Sequence, residues 1–154
     1  MKKFLFLITA LLFATTICAQ ERISILDICY YDKNTNEVNT YEQETVIKKL
    51  QKKGFKITNT EYEYGEGAGG YTVLFKYVTM YQHKSATTVT IGNEGVYAIE
   101  FKTTSDAEEF AANAVFTGYF TEKDGRFIIT RDPDFGITSF EIDGKAIGFA
   151  LSVP

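Results

Sequence analysis

The carboxylates are the residues of this chain whose type and spacing come nearest to chemistry. Glu61, Glu63 and Glu66 fall close together, and the i, i+2 spacing puts Glu61 and Glu63 on one face of a regular strand. Glycoside hydrolysis needs two carboxylates about 5 to 9 Å apart across a cleft. A small carboxylate-dependent hydrolase is therefore one reading. Nothing in the neighbouring residues implies a cleft, and a solvated strand edge is the expectation set against it. Asp132, Asp134 and Asp143 raise calcium, but Asp132-Pro-Asp-Phe-Gly136 lacks the third oxygen ligand and the distal glutamate of an EF-hand. Asp134-Phe-Gly136 matches a kinase triplet with no accompanying lysine or catalytic loop.

Nucleophilic chemistry finds less support. His83 is the only histidine, so it would have to serve as the base. Ser85 lies two residues away, which does not make a triad, and no Gly-x-Ser-x-Gly elbow is present. One histidine excludes a His-rich zinc site, although not a carboxylate-rich site with one imidazole. Gly65-Glu-Gly-Ala-Gly-Gly70 suggests a phosphate loop until its sequel is read. Such a loop opens a helix, whereas Tyr71-Thr-Val-Leu-Phe75 is strand-like, and Glu66 would repel phosphate. A hairpin loop fits better. Cys29 sits among apolar neighbours and reads as a buried, inert thiol. No catalytic set and no cofactor or metal site is implied.

Tyrosine is the unusual abundance, with ten tyrosines and no tryptophan. Tyr71, Val73, Phe75, Tyr77 and Tyr81 alternate onto one side of a long strand, opposite Leu74, Val78 and Met80. One side is expected to pack under helices and the other to present aromatic area. Core filling accounts for part of this pattern. The functional reading is a binding face of Tyr71, Phe75, Tyr77 and Tyr81, extended by Tyr62 and Tyr64.

The elements that must position these residues begin after a leader. Lys2 and Lys3, the uncharged apolar run Phe4–Ile17 and the small residues ending at Ala19 have the order of a secretory signal peptide, and resemble bacterial Sec signals. Cleavage after Ala19 would leave residues 20–154 as one domain, periplasmic or secreted. Lipidation at Cys18 is the weaker alternative, because Ile17 and Thr15 stand where a lipobox wants a small residue and leucine. The apolar run is also short for a membrane span, so none is expected after cleavage. Export would leave Cys29 as the sole cysteine, with no internal disulfide. It would also remove two lysines, taking the net charge from −4 to −6. Such a chain is a poor candidate for nucleic acid. Its one basic run, Lys48, Lys49, Lys52 and Lys53, suits a helix C-terminus.

Two helices are predicted. The first covers Tyr41 to Lys53, capped by Asn39 or Thr40 with Glu42 or Gln43 reaching back, and buries Val46, Ile47 and Leu50. The second covers Asp106 to Thr117, with Ser105 and Glu108 as capping box and Ala107, Phe110, Ala111, Ala114 and Val115 as the buried face. Strands are expected over 55–64, 71–82, 87–91, 96–102, 126–131, 137–142 and 146–153, with turns at Gly92–Gly95, Asp124-Gly125, Asp132–Gly136 and Asp143-Gly144. Ile23 to Tyr31 reads as a strand, with a helical face through Ile25, Ile28 and Cys29 as the alternative.

The order suggests a weak tandem repeat of a helix and a β-meander. Val89-Thr-Ile91…Ile99-Glu-Phe101 is echoed by Phe140-Glu-Ile142…Ile147-Gly-Phe149. In element order, though in no motif, this is similar to small secreted bacterial inhibitors of the β-lactamase inhibitor protein kind. The expected fold is α+β in two layers, a mainly antiparallel sheet with two helices on one face. The expected function is a non-enzymatic, exported protein-binding module, inhibitor- or immunity-like, with a protein partner. The hydrolase and a carbohydrate-contacting envelope module are the alternatives.

Overall fold

The structure, a computed structural model, describes residues 22–131 and 136–152. The leader, Cys18, Asp132 and Asp134 lie outside the described residues.

The chain starts with a 3-10 turn, Ile25–Asp27, and a short hairpin of β1 (Cys29–Asp32) and β2 (Glu37–Thr40). Then come α1 (Gln43–Lys52) and a meander of β3 (Lys56–Glu66), β4 (Thr72–Gln82), β5 (Thr87–Gly92) and β6 (Gly95–Glu100). The pattern repeats as α2 (Thr104–Phe116) with β7 (Phe120–Lys123), β8 (Arg126–Ile129), β9 (Gly136–Asp143) and β10 (Ala146–Ser152). The eight strands β3 to β10 form one antiparallel sheet in the order β3-β4-β5-β6-β10-β9-β8-β7. Each unit is thus one helix and four strands, and the two units join where β6 pairs with β10. The α+β class holds, and so does the helix-plus-meander order.

One face of the sheet is buried. The register aligns Met80 with Val89, Val89 with Ile99, Ile99 with Ile147, and Phe149 with Phe140, and all six are buried. Directly paired residues share a face, so these side chains form one continuous apolar surface. Helix α1 contacts β5 and β6, helix α2 contacts β7 and β10, and both touch the 3-10 turn. Phe140 gathers the second unit, with Phe127 stacked at 4.5 Å, Phe120 at 5.0 Å, Phe149 at 5.5 Å and Phe110 of α2 at 6.1 Å.

Local chemistry corrects several expectations. Ile23 to Tyr31 is mostly not strand: it is the 3-10 turn followed by β1. The backbone N–H of Ser24 donates to Asp27 Oδ2 at 2.8 Å, and Lys53 Nζ sits 2.6 Å from the same oxygen. That half-buried ion pair pins the turn against the end of α1. Helix α1 begins two residues later than predicted, at Gln43, without a side-chain cap. Gln43 Nε2 instead donates to the carbonyls of Ile91 at 3.1 Å and Lys76 at 2.8 Å, tying the helix to the sheet. In α2 the cap is Thr103, whose Oγ1 accepts from Asp106 N at 3.2 Å, rather than Ser105. Val115, expected on the buried face of α2, is exposed, as is Phe116. Strands β2 and β7 had no counterpart in the sequence reading.

Candidate functional site

The open face of the sheet carries three of the expected binding residues. Among the described residues, both helices pack on the opposite face, so this face has no helix over it. Its central rows are small: Thr90 pairs with Ala98, and Ala98 with Gly148. Charged residues bound these rows. Glu100 meets Lys145 at 3.2 Å, and Arg126 meets Glu141 at 2.7 Å.

The aromatic residues gather at the β3–β4 end. Phe75, Tyr77 and Tyr81 point to the open face, as the period of two predicts, and each is half-buried. Glycines seat them. A Cβ on Gly65 would lie 2.7 Å from the Phe75 ring, and one on Gly92 would lie 3.5 Å from the Tyr77 ring. The glycine-rich segment therefore gives room to an aromatic side chain, and the phosphate reading falls away. It closes a hairpin through a 3-10 turn, Ala68–Gly70. Tyr97 joins the group, edge-on to Tyr77 at 6.3 Å. Sequence reasoning missed it because the β5–β6 register shifts between Thr90 and Ile91. This bulge leaves Tyr97 unpaired and sends both Tyr97 and Ala98 outward.

The six predicted residues do not form one patch. Tyr71 precedes β4 and is exposed at the hairpin end. Tyr62 pairs with Lys76 and Tyr64 with Leu74, which places both tyrosines on the helix-side face, opposite Phe75 and Tyr77. They are nevertheless exposed, by 62% and 76%. The reason is the reach of the hairpin. Strand β5 pairs with β4 only from Val78 to Gln82, so residues 61–66 and 72–77 project beyond it as a two-stranded arm.

The catalytic candidates separate. Glu61, Glu63 and Glu66 lie exposed on β3, the outermost strand, and line neither of the clefts described next. Asn59 Nδ2 donates to Glu61 Oε1 at 2.8 Å. Two clefts lie elsewhere. One of about 460 Å³ lies among Arg22, Lys84, Phe101 and the first turns of α2; another of about 480 Å³ lies beside Tyr30, Tyr41 and Asn93. Ser85 Oγ bonds Gln82 Oε1, and Thr87 Oγ1 at 2.8 Å, so it is engaged away from His83. His83 stands exposed in the β4–β5 turn with its ring 6.5 Å from Tyr81. Among the described residues no cluster of three metal-ligating side chains occurs. Cys29 is fully buried and its thiol is pushed up to about 12 by burial, the opposite of an activated nucleophile. No helix among the described residues is long and apolar enough to cross a membrane.

Comparison with family models, with curated proteins and with solved structures gives no match. The likeness to secreted inhibitors therefore remains one of element order alone.

Proposed function

We propose that this chain is an exported, non-enzymatic protein-binding module that engages its partner through the open sheet face at the β3–β4 end. The observation that supports this best is the half-buried row Phe75, Tyr77 and Tyr81 on a face that no helix of the described residues covers. Tyrosine and phenylalanine offer large, rigid contact area at small entropic cost, and such residues dominate interface energetics. The neighbouring Thr90, Ala98 and Gly148 are small and would let a partner backbone approach closely. Export rests on the leader residues Lys2, Lys3, Phe4–Ile17 and Ala19, and the inhibitor- or immunity-like role is an extension from size and acidity.

The test is affinity capture with tagged residues 20–154 from envelope and secreted fractions, repeated with the double variant Tyr77→Ala/Tyr81→Ala. A stoichiometric partner held by the native chain and lost by the folded variant is the expected outcome. Undiminished capture by the variant would remove this face as the site.

A further inference from the structure

The arm built by β3 and β4 has one closed edge and one open edge. On the β4 side, Asn93 takes the place of a third strand. Its Oδ1 accepts from Lys76 N at 2.9 Å, its Nδ2 donates to Leu74 O at 3.2 Å, and Gln43 caps Lys76 O. On the β3 side nothing comparable occurs among the described residues. Gly67 N donates to Tyr71 O at 2.8 Å, which makes 67/71 a hydrogen-bonded pair at the hairpin end. Antiparallel pairs alternate between bonded and non-bonded. The unbroken register from Asn59 to Glu66 then makes 65/73, 63/75 and 61/77 the bonded pairs. The backbone N–H and C=O groups of Thr60, Tyr62, Tyr64 and Glu66 consequently face outward. Among the described residues no hydrogen bond to them is made from outside the hairpin.

We infer that this edge binds an extended, basic peptide segment of a partner protein as an added strand, with Lys or Arg alternating with apolar residues. The inference rests on the binding-module reading above and names the chemistry of the partner. The pleat sets the pattern. Glu61 and Glu63 point to the open face, where the neighbouring β4 side chains are Phe75 and Tyr77, so no cation of the described residues pairs with them. Tyr62 and Tyr64 point to the other face beside Lys76 and Leu74. A segment laid against β3 therefore meets carboxylates on one side and tyrosine rings on the other. Cross-strand pairs of opposite charge and of aromatic with apolar residues stabilise such an addition, and main-chain hydrogen bonds hold it.

A second copy of this chain fits the same edge poorly. Two β3 strands paired antiparallel about Tyr62 would set Glu61 against Glu63 twice, and centring on Glu61 or Glu63 would oppose identical carboxylates. Like charges directly opposite destabilise a sheet, and charge on an edge is how proteins prevent self-pairing. The same glutamates that discourage self-association select a basic guest.

The experiment uses residues 20–154, which contain every described element. Binding of two fluorescent peptides is followed by anisotropy: one alternates lysine and valine, the other has the same composition arranged in blocks. The alternating peptide should bind saturably, more tightly than the block peptide and more weakly as salt rises. The double variant Glu61→Lys/Glu63→Lys should weaken it by about tenfold or more. Tyr62→Pro removes an outward N–H while leaving the β3–β4 ladder intact, since proline is tolerated at such an edge position. It should abolish binding with the circular dichroism spectrum unchanged; if it unfolds the arm, the charge reversal decides alone. No saturable binding below about 1 mM, equal affinity for the two peptides, or full binding by Glu61→Lys/Glu63→Lys would overturn the inference. So would a dimer of the native chain that Tyr62→Pro converts to monomer, because the edge would then belong to a second copy. A captured partner that depends on Tyr77 and Tyr81 but not on these edge variants would leave the face reading standing and remove the edge.

Discussion

Cys29 shows what a single buried residue contributes. It pairs with Thr40 in the β1–β2 hairpin, faces the core and is fully buried. Burial raises its thiol from 9.0 to about 12, because a thiolate would have to form without water. Below about pH 9 the thiol is neutral in both folded and unfolded chains and adds no pH dependence. Above that value the unfolded chain releases the proton and the folded chain keeps it, so stability falls as pH rises toward 12. One unit above 9.0, the loss from this group is about 1.4 kcal/mol. Urea unfolding at pH 8 and pH 10 should show the native chain losing about that much more stability than Cys29→Ala; parallel losses would refute the assignment. The burial of Cys29 was legible from its apolar neighbours alone. The position of Tyr97 was not, because it depends on a register shift in the β5–β6 pair that no local pattern announces.

At the scale of elements, what was legible followed from turn chemistry and period. Gly92–Gly95, Asp124-Gly125 and Asp143-Gly144 divided the meanders correctly, and the alternation in β4 assigned its two faces. Strand β2 was missed because Glu37-Val-Asn-Thr carries one apolar residue, Val38, and β7 because only Phe120 of its four residues is buried. The cap of α2 lies two residues before the expected Ser105. Thr103 has the extended backbone of a cap, with φ −134° and ψ 158°, whereas Ser105 lies inside the helix. Tyr62 and Tyr64 were misplaced because their face follows from the β3–β4 pairing, which the hairpin end at Gly67 and Tyr71 sets. That pairing also makes the arm depend on Asn93. A two-stranded ribbon is marginal by itself, and among the described residues Asn93 supplies the only side-chain bonds to Leu74 O and Lys76 N. Asn93→Ala should therefore speed hydrogen exchange at the Lys76 amide and at Glu61, Glu63 and Gly65, whose amides bond to β4, while exchange in β6 and β10 stays slow. Equal protection in both proteins would show that the arm holds itself.

For the whole molecule, the question is whether two similar units amount to two folding units. The seam between them is narrow: β6 and β10 are paired at Glu100–Ala146, Ile99–Ile147 and Ala98–Gly148. Yet the core does not divide there. Ile99 and Ile147 are fully buried against each other, and Phe101, at the end of the first unit, packs 5.6 Å from Phe110 of α2. Ile25 and Ile28, in and beside the 3-10 turn that touches both helices, are also fully buried. Parting the units would open two sheet edges and expose these residues together, and the second unit alone is of a size at which the core is marginal. Unfolding of residues 20–154 should therefore be a single calorimetric transition, with calorimetric and van't Hoff enthalpies equal. Separate chains of residues 20–102 and 103–154 should each fail to fold. Two resolved transitions, or a folded 103–154 fragment, would mean that the duplicated order has produced independent domains and that the β6–β10 seam is an interface between them.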